Sequence, residues 1–181
     1  MSRSDVSVFN LTTIEDYLDF CNQAVEAFSE DQANVLRGFS AILALNHIPD
    51  WLQYKLSREQ RKILGLNEKE QTEVNPYFES DNPETKLIRS IANGFKHLRP
   101  VHSTQRVSGY GQGPFGVGPF GRPYLLIDKG DHLDNSERWT VGLSLSKRVL
   151  EYWKNKLALI LEENNFKESN PIEIFNIIGN N

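Results

Sequence analysis

The sequence is poor in features that define several large classes of protein. It contains one cysteine, Cys21, so an internal disulfide is excluded and no cysteine–histidine metal spacing exists. Its longest apolar run, AILAL, is too short to cross a bilayer, and the N-terminus lacks the apolar core of a signal peptide. The formal net charge of −4 is opposite in sign to that of a polycationic nucleic-acid binder. These absences predict a cytoplasmic protein with no membrane partner, no metal and no cofactor.

Helical periodicity dominates the first part of the chain. Apolar residues recur at helical spacing after Thr12 and Thr13, which are candidate N-caps, and again from Val35 to Leu45. Pro49 predicts that the second helix ends or restarts there. Ser57 with Gln60 three residues later predicts a capping box at the start of another helix.

A further helix follows a polar stretch. Residues 67–83 show little periodicity, so we expect an exposed connector there. The next helix begins at Asn82 and Pro83 and stops at Pro100. Its apolar residues gather on one side, and the opposite side gathers a polar set: Arg89, Asn93, Lys96 and His97.

After that helix, helical periodicity gives way to segments that are typical of strands. Residues 102–107 are a candidate strand, and the segments PYLLID and RWTVGL predict a small β-hairpin. A last long helix is expected from about Leu145 to Glu163, and the tail PIEIFNII predicts one further short helix. We therefore expect a mainly α, single-domain protein over 1–181. Its parts are an antiparallel helical bundle (11–100), a glycine-rich loop with the β-hairpin (101–143), and a closing helix with the tail (144–181).

The polar side of the predicted helix is the strongest candidate for a catalytic site. Arg89, Asn93 and His97 are spaced by four residues, so each follows the last by about one turn. In metal-independent RNA cleavage, His97 would transfer the proton of the attacking 2′-hydroxyl and Arg89 would stabilise the developing charge. Asn93 would serve as the orienting residue. Lys96 and Arg99 would complete a basic patch for a partner. The alternative is an ordinary solvated helix face.

A loop at 109–121, GYGQGPFGVGPFG, holds two copies of Gly-Pro-Phe-Gly with a five-residue period. It also matches G-x-G-x-x-G twice, but it leads into a candidate strand and no Gly-Lys-Ser/Thr follows. Neither a dinucleotide fingerprint nor a P-loop is therefore indicated. Phe115 and Phe120 either fold back onto the bundle as a lid, which we favour, or face outward beside Arg122. Facing outward, they would dock a protein or stack on bases.

One segment carries a resemblance. ANGFKH, downstream of Asp50 and Trp51, is similar to an Ala-Asn-x-x-Lys-His element of uncharacterised bacterial and phage proteins. In that family a loop of Gly/Phe units follows, then a short hairpin and a closing helix with an aromatic pair like Tyr152–Trp153. The resemblance covers roughly Phe39 to Leu157. It implies a helical half similar to HEPN domains, which are all-α modules that commonly form homodimers and often act as ribonucleases in toxin–antitoxin and phage-defence systems.

The resemblance also implies a function. Active HEPN nucleases carry Arg-x(4–6)-His, with a polar residue after the arginine. Aligned on His97, Asn93 takes the polar position and Ala92 that of the arginine, while Arg89 lies eight residues before His97. This departure favours a non-catalytic accessory or interaction protein of a phage or phage-defence locus, which binds protein or RNA through the polar stripe and the loop. The alternatives are a metal-independent HEPN-type ribonuclease toxin and a phage assembly or adaptor protein.

Overall fold

The computed structural model describes residues 11–66, 69–97, 102–108 and 112–169. These residues form a mainly helical body with a small antiparallel sheet. The elements in chain order are α1 (Ile14–Glu30), α2 (Val35–Asn46), α3 (Ile48–Lys55), α4 (Arg58–Ile63), α5 (Gln71–Asp81), α6 (Pro83–His97), β1 (Ser103–Val107), β2 (Tyr124–Asp128), α7 (Asn135–Arg138), β3 (Trp139–Val141) and α8 (Gly142–Ser169).

The predicted helix starts in the first half of the chain are confirmed. At α1 the Thr13 hydroxyl accepts a hydrogen bond from the backbone N–H of Asp16 at 3.0 Å, and the Asp16 carboxylate accepts one from the N–H of Thr13 at 2.9 Å. Ser57 and Gln60 make the same reciprocal pair at α4. Pro49 lies in the first turn of α3, so the chain restarts as a new helix directly after α2.

Helix α5 overturns the expectation of an exposed connector over 67–83. Val74 and Phe78 lie one turn apart on α5 and are only 2% and 1% exposed. The Phe78 ring meets the Trp153 ring of α8 edge to face, with centroids 4.7 Å apart. Pro76 stands inside the helix, where its missing N–H weakens the backbone ladder. Packing of α5 against α3, α6 and the Trp153 ring of α8 therefore stabilises a helix that local propensity disfavours.

The strands form one sheet in the order β1-β2-β3, with both pairs antiparallel. The predicted hairpin corresponds to β2 and β3, and the candidate strand over 102–107 is β1. Val107 pairs with Tyr124, so the glycine-rich loop joins the facing ends of β1 and β2. Helix α8 follows β3 immediately at Gly142, slightly earlier than expected. The helix predicted for PIEIFNII lies outside the described residues.

The core is formed by one face of each long helix and by β2. Phe28, Leu45, Leu126 and Trp153 are among its fully buried side chains, and Cys21 is buried as expected of a small hydrophobe. Burial raises the pKa of the Cys21 thiol to about 12. Within the described ranges, no helix has the length and apolar character needed to cross a membrane.

Candidate functional site

The polar stripe lies on a single helix, as predicted. Helix α6 runs without interruption from Pro83 to His97, so positions 89, 93 and 97 succeed one another at about one-turn intervals. The side chain of Asn93 is exposed. The side chains of Lys96 and His97, and the whole of Arg99, lie outside the described residues.

Arg89 is already engaged with a carboxylate. Its Nη1 lies 2.8 Å from Oε1 of Glu79, and the Glu79 side chain is only 18% exposed, against 41% for Arg89. Glu79 belongs to α5, so this ion pair ties two consecutive helices together. The pair neutralises the charge that Arg89 would otherwise offer to a phosphate. The described part of the stripe thus contains a structural cation and an exposed amide.

The glycine-rich loop is built from tight turns. The N–H of Val117 donates to the carbonyl of Pro114 at 3.3 Å, and Gly116 has a φ of 79°. These values match a type II turn, in which Phe115 occupies the second position and the third requires glycine. Gly121 has a φ of 73° at the same place in the second repeat. The repeat therefore sets each phenylalanine just before a left-handed glycine.

Tyr124, the first residue of β2, organises both repeats. Its hydroxyl donates to the carbonyl of Val117 at 2.7 Å, and its ring is 4% exposed. A Cβ added to Gly113 would lie 2.5 Å from the Tyr124 hydroxyl oxygen, and one added to Gly118 would lie 2.5 Å from Cζ of the same ring. The first glycine of each repeat is thus required because the chain passes directly over Tyr124. Burial also raises the pKa of Tyr124.

The preference for a lid was wrong. Phe115 is fully exposed and Phe120 is 85% exposed, and Arg122 is exposed beside them. The physical reason lies in the five-residue period. The inward positions of the two repeats belong to Gly113 and Gly118, so the phenylalanine two residues later points away from the body.

Two features escaped the sequence reasoning. Tyr124 reads as an ordinary strand residue, and only its position directly after the glycine repeats hints at its role. His102 and His132 look isolated in the sequence, yet they line one cavity with the first turns of α6. Among the described residues, no group of three or more histidine, cysteine, aspartate or glutamate side chains could hold a metal ion.

The chain shows no significant match to any protein-family model, curated protein or solved structure. Its function is therefore inferred from the geometry of the loop and of α6. The two phenylalanines are accessible, whereas Arg89 is paired with Glu79.

Proposed function

We propose that this protein is a non-catalytic interaction protein of a phage or phage-defence locus that binds a protein partner through Phe115 and Phe120. The observation that carries this proposal is the exposure of two phenylalanines, complete at Phe115 and 85% at Phe120, on turns that Tyr124 holds in place. Aromatic side chains are enriched at the cores of protein interfaces. Because the hydrogen bonds at Val117 hold the first turn in shape, binding loses less conformational entropy than it would on an unstructured loop. The locus is supported by the resemblance of the loop and the ANGFKH element.

The charge of the loop favours a protein over RNA. The loop residues from 112 to 123 contain one charged side chain, Arg122, and the whole chain carries a net charge of −4. Binding of RNA depends on neutralising several phosphates with lysine or arginine. Two phenylalanines with one flanking arginine fit a hydrophobic groove with an acidic rim better. Arg122 would then contribute orientation and the rate of association.

The geometry of α6 supports the absence of catalysis. We propose that the helical part is a HEPN-like bundle that does not cleave, because Arg89 is paired with Glu79 and lies eight residues before His97. The resemblance further implies that two copies pair through the helix that bears the motif. Light scattering of the purified protein tests this pairing directly. The buried, unpaired Cys21 suits the proposed site of action in a reducing cytoplasm.

The test compares the double variant Phe115→Ala/Phe120→Ala with a matched control, Leu36→Ala. Leu36 is an exposed hydrophobic residue on α2, 72% accessible, and lies outside the loop. Partners captured from host extract by the wild type are purified and titrated against all three proteins. We expect the double variant to keep the wild-type melting temperature within about 1 °C and to lose binding at least about tenfold. Leu36→Ala should bind as the wild type does.

Two outcomes would contradict the proposal. A large fall in the melting temperature of the double variant would show that the two phenylalanines have a structural role. Cleavage of total RNA without added metal, abolished by His97→Ala, would replace the proposal with the ribonuclease alternative. If the captured partner is a structural protein of a virion, the assembly or adaptor alternative describes this interaction protein more closely than a defence role.

A further inference from the structure

A second candidate site lies away from the loop. A cavity of about 410 Å³ opens between the first turns of α6, the start of β1 and the segment that connects β2 to α7. This volume lies within the range of small-molecule sites, which is roughly 300–1,000 Å³. Besides Glu84, the polar side chains that line it come from four separate stretches of the chain: Lys86, Ser90, His102, Lys129, His132 and Thr140.

The cavity carries excess positive charge. Among the described residues, neither Lys86 nor Lys129 takes part in an ion pair. The carboxylate that lines the cavity, Glu84, is held by Arg148, whose Nη2 lies 2.6 Å from Oε1 and whose Nε lies 3.0 Å from the same oxygen. Glu84 is the one acidic residue among the described lining residues, and its pairing with Arg148 leaves the charges of the two lysines uncompensated. Such a concave, cationic surface attracts anions.

Two imidazoles face the same space. The Nδ1 of His102 is buried and has no hydrogen-bond partner among the described residues, an arrangement that costs free energy. The ring of His132 lies against Gly130, where an added Cβ would be 2.7 Å from the ring and where φ is 123°. The Asp128 carboxylate, which interacts electrostatically with His102, already accepts two hydrogen bonds from Arg138. A glycine with positive φ therefore makes room for one imidazole, and the buried nitrogen of the other lacks a partner within the part of the chain that the structure describes.

A metal ion does not explain this cluster. Zinc sites in proteins use three or four ligands, and within the described ranges these two histidines have no third ligand close enough. A cationic ligand would meet the uncompensated charges of Lys86 and Lys129. An anion with several acceptor oxygens satisfies lysine, imidazole and hydroxyl donors together.

We propose that this cavity binds a small phosphomonoester of up to nucleotide size. Lys86 and Lys129 bind the phosphate, and His102 and His132 donate further hydrogen bonds to it after a rotation of the His102 ring that brings its buried Nδ1 to the ligand. Leu87 and Leu133 contact the apolar part of the ligand. A phosphomonoester suits this arrangement better than a simple carboxylate because it offers three acceptor oxygens, which share up to two negative charges, to four donor side chains.

The test titrates the purified protein with ribose 5-phosphate and with AMP, each beside its uncharged counterpart, ribose or adenosine. We expect the phosphorylated probes to bind with a Kd between about 0.01 and 1 mM, and the uncharged probes at least about tenfold more weakly. The imidazole Cε1–H resonances of His102 and His132 should move in NMR spectra as the probe is added. Those of His47, which is hydrogen-bonded to Asp50, should stay in place.

Lysine variants locate the binding on this cavity. Lys86→Gln and Lys129→Gln should each weaken binding of the phosphorylated probe about tenfold. Lys86 is exposed, so its replacement leaves the core intact. The matched control is Lys147→Gln, a change of an exposed lysine on α8 outside the cavity, which should bind as the wild type does.

Three results would overturn this site. The first is the absence of saturable binding of either phosphorylated probe up to about 10 mM. The second is equal affinity for adenosine and AMP, which would indicate a merely apolar pocket. The third is an equal loss of affinity in Lys147→Gln, which would indicate unspecific charge attraction. None of these results depends on Phe115 or Phe120, so this site and the proposed docking function fail or survive separately.

Discussion

The hydroxyl of Tyr124 donates a hydrogen bond of 2.7 Å to the backbone carbonyl of Val117, seven residues before it in the chain. This bond ties the first residue of β2 to the junction of the two Gly-Pro-Phe-Gly repeats. The same side chain fills the space beside the first glycine of each repeat, with its hydroxyl at Gly113 and its ring at Gly118. One buried tyrosine therefore determines the direction in which both phenylalanines point.

Removal of the Tyr124 hydroxyl should loosen the loop without unfolding the protein. In Tyr124→Phe the ring remains, but the carbonyl of Val117 loses its donor, and we expect a loss of about 1 kcal/mol in the free energy of unfolding. Urea denaturation measures the loss. Chymotrypsin should cleave after Phe115 and Phe120 faster than in the wild type, because the turns that hold them open more often. Unchanged stability with an unchanged rate of cleavage would show that Tyr124 does not hold the loop.

Two glycines of the loop allow a matched comparison. Gly116 and Gly118 both have positive φ, so alanine at either position incurs a backbone cost of about 1 kcal/mol. A Cβ on Gly116 would meet nothing within 4 Å, whereas one on Gly118 would lie within 2.9 Å of three atoms of the Tyr124 ring. Gly118→Ala should therefore destabilise the protein by at least about 1 kcal/mol more than Gly116→Ala. Equal melting temperatures for the two variants would contradict this packing.

The ion pair between Arg89 and Glu79 should be measurable as a coupling energy. We expect a double-mutant cycle with Arg89→Gln and Glu79→Gln to give about 0.5–1 kcal/mol, since Glu79 is largely buried but Arg89 is partly solvated. The cycle uses denaturant unfolding of the four proteins. A coupling energy of zero would mean that Arg89 is available to a ligand, and the ribonuclease alternative would gain support.

The capping box of α1 should make the stability of the protein depend on pH in the acid range. The backbone N–H of Thr12, that of Thr13 and the Thr12 hydroxyl donate to Asp16 and lower its pKa to about 2. In the unfolded chain the pKa of an aspartate is about 3.9. The unfolded state thus binds more protons between these values, so this stabilisation is present above about pH 4 and lost as the pH falls towards 2.

Two measurements check the role of Asp16. Its carboxyl carbon should titrate with a midpoint near 2 in NMR spectra of the folded protein. The urea midpoint of Asp16→Asn should fall less steeply than that of the wild type as the pH is lowered from about 5 to about 2. An identical pH dependence of the urea midpoint in both proteins would show that Asp16 does not contribute to the loss of stability in acid.

Signals that lie within one helical turn could be interpreted from the sequence. The capping pairs Thr13–Asp16 and Ser57–Gln60 are only three residues apart, so their hydrogen bonds depend little on the rest of the fold. Helix α5 was missed for the opposite reason. Its Val74 and Phe78 pack into the core, and Phe78 meets Trp153, which is distant along the chain. With Pro76 inside it, the segment carries no local signal strong enough to predict the helix.

Each candidate site likewise combines features that the sequence predicted with features that depend on packing. The common helix of Arg89, Asn93 and His97 followed from periodicity, but the pairing of Arg89 with Glu79 depends on how α5 packs against α6. The sequence showed that the repeat spaces two phenylalanines five residues apart. It did not show which way their side chains point, because that depends on the ring of Tyr124 beneath the loop.

By itself, the sequence determined the mainly helical character, the capped helix starts, the three strands and the spacing of the phenylalanine repeat, because each depends on neighbours within a few residues. Only the tertiary structure decided that Phe115 and Phe120 face outward and that Arg89 is neutralised. It also brought His102 and His132 to one cavity with Lys86 and Lys129. These relationships join residues on different elements of the fold, beyond the reach of one helical turn, and their geometry exists only once those elements pack together.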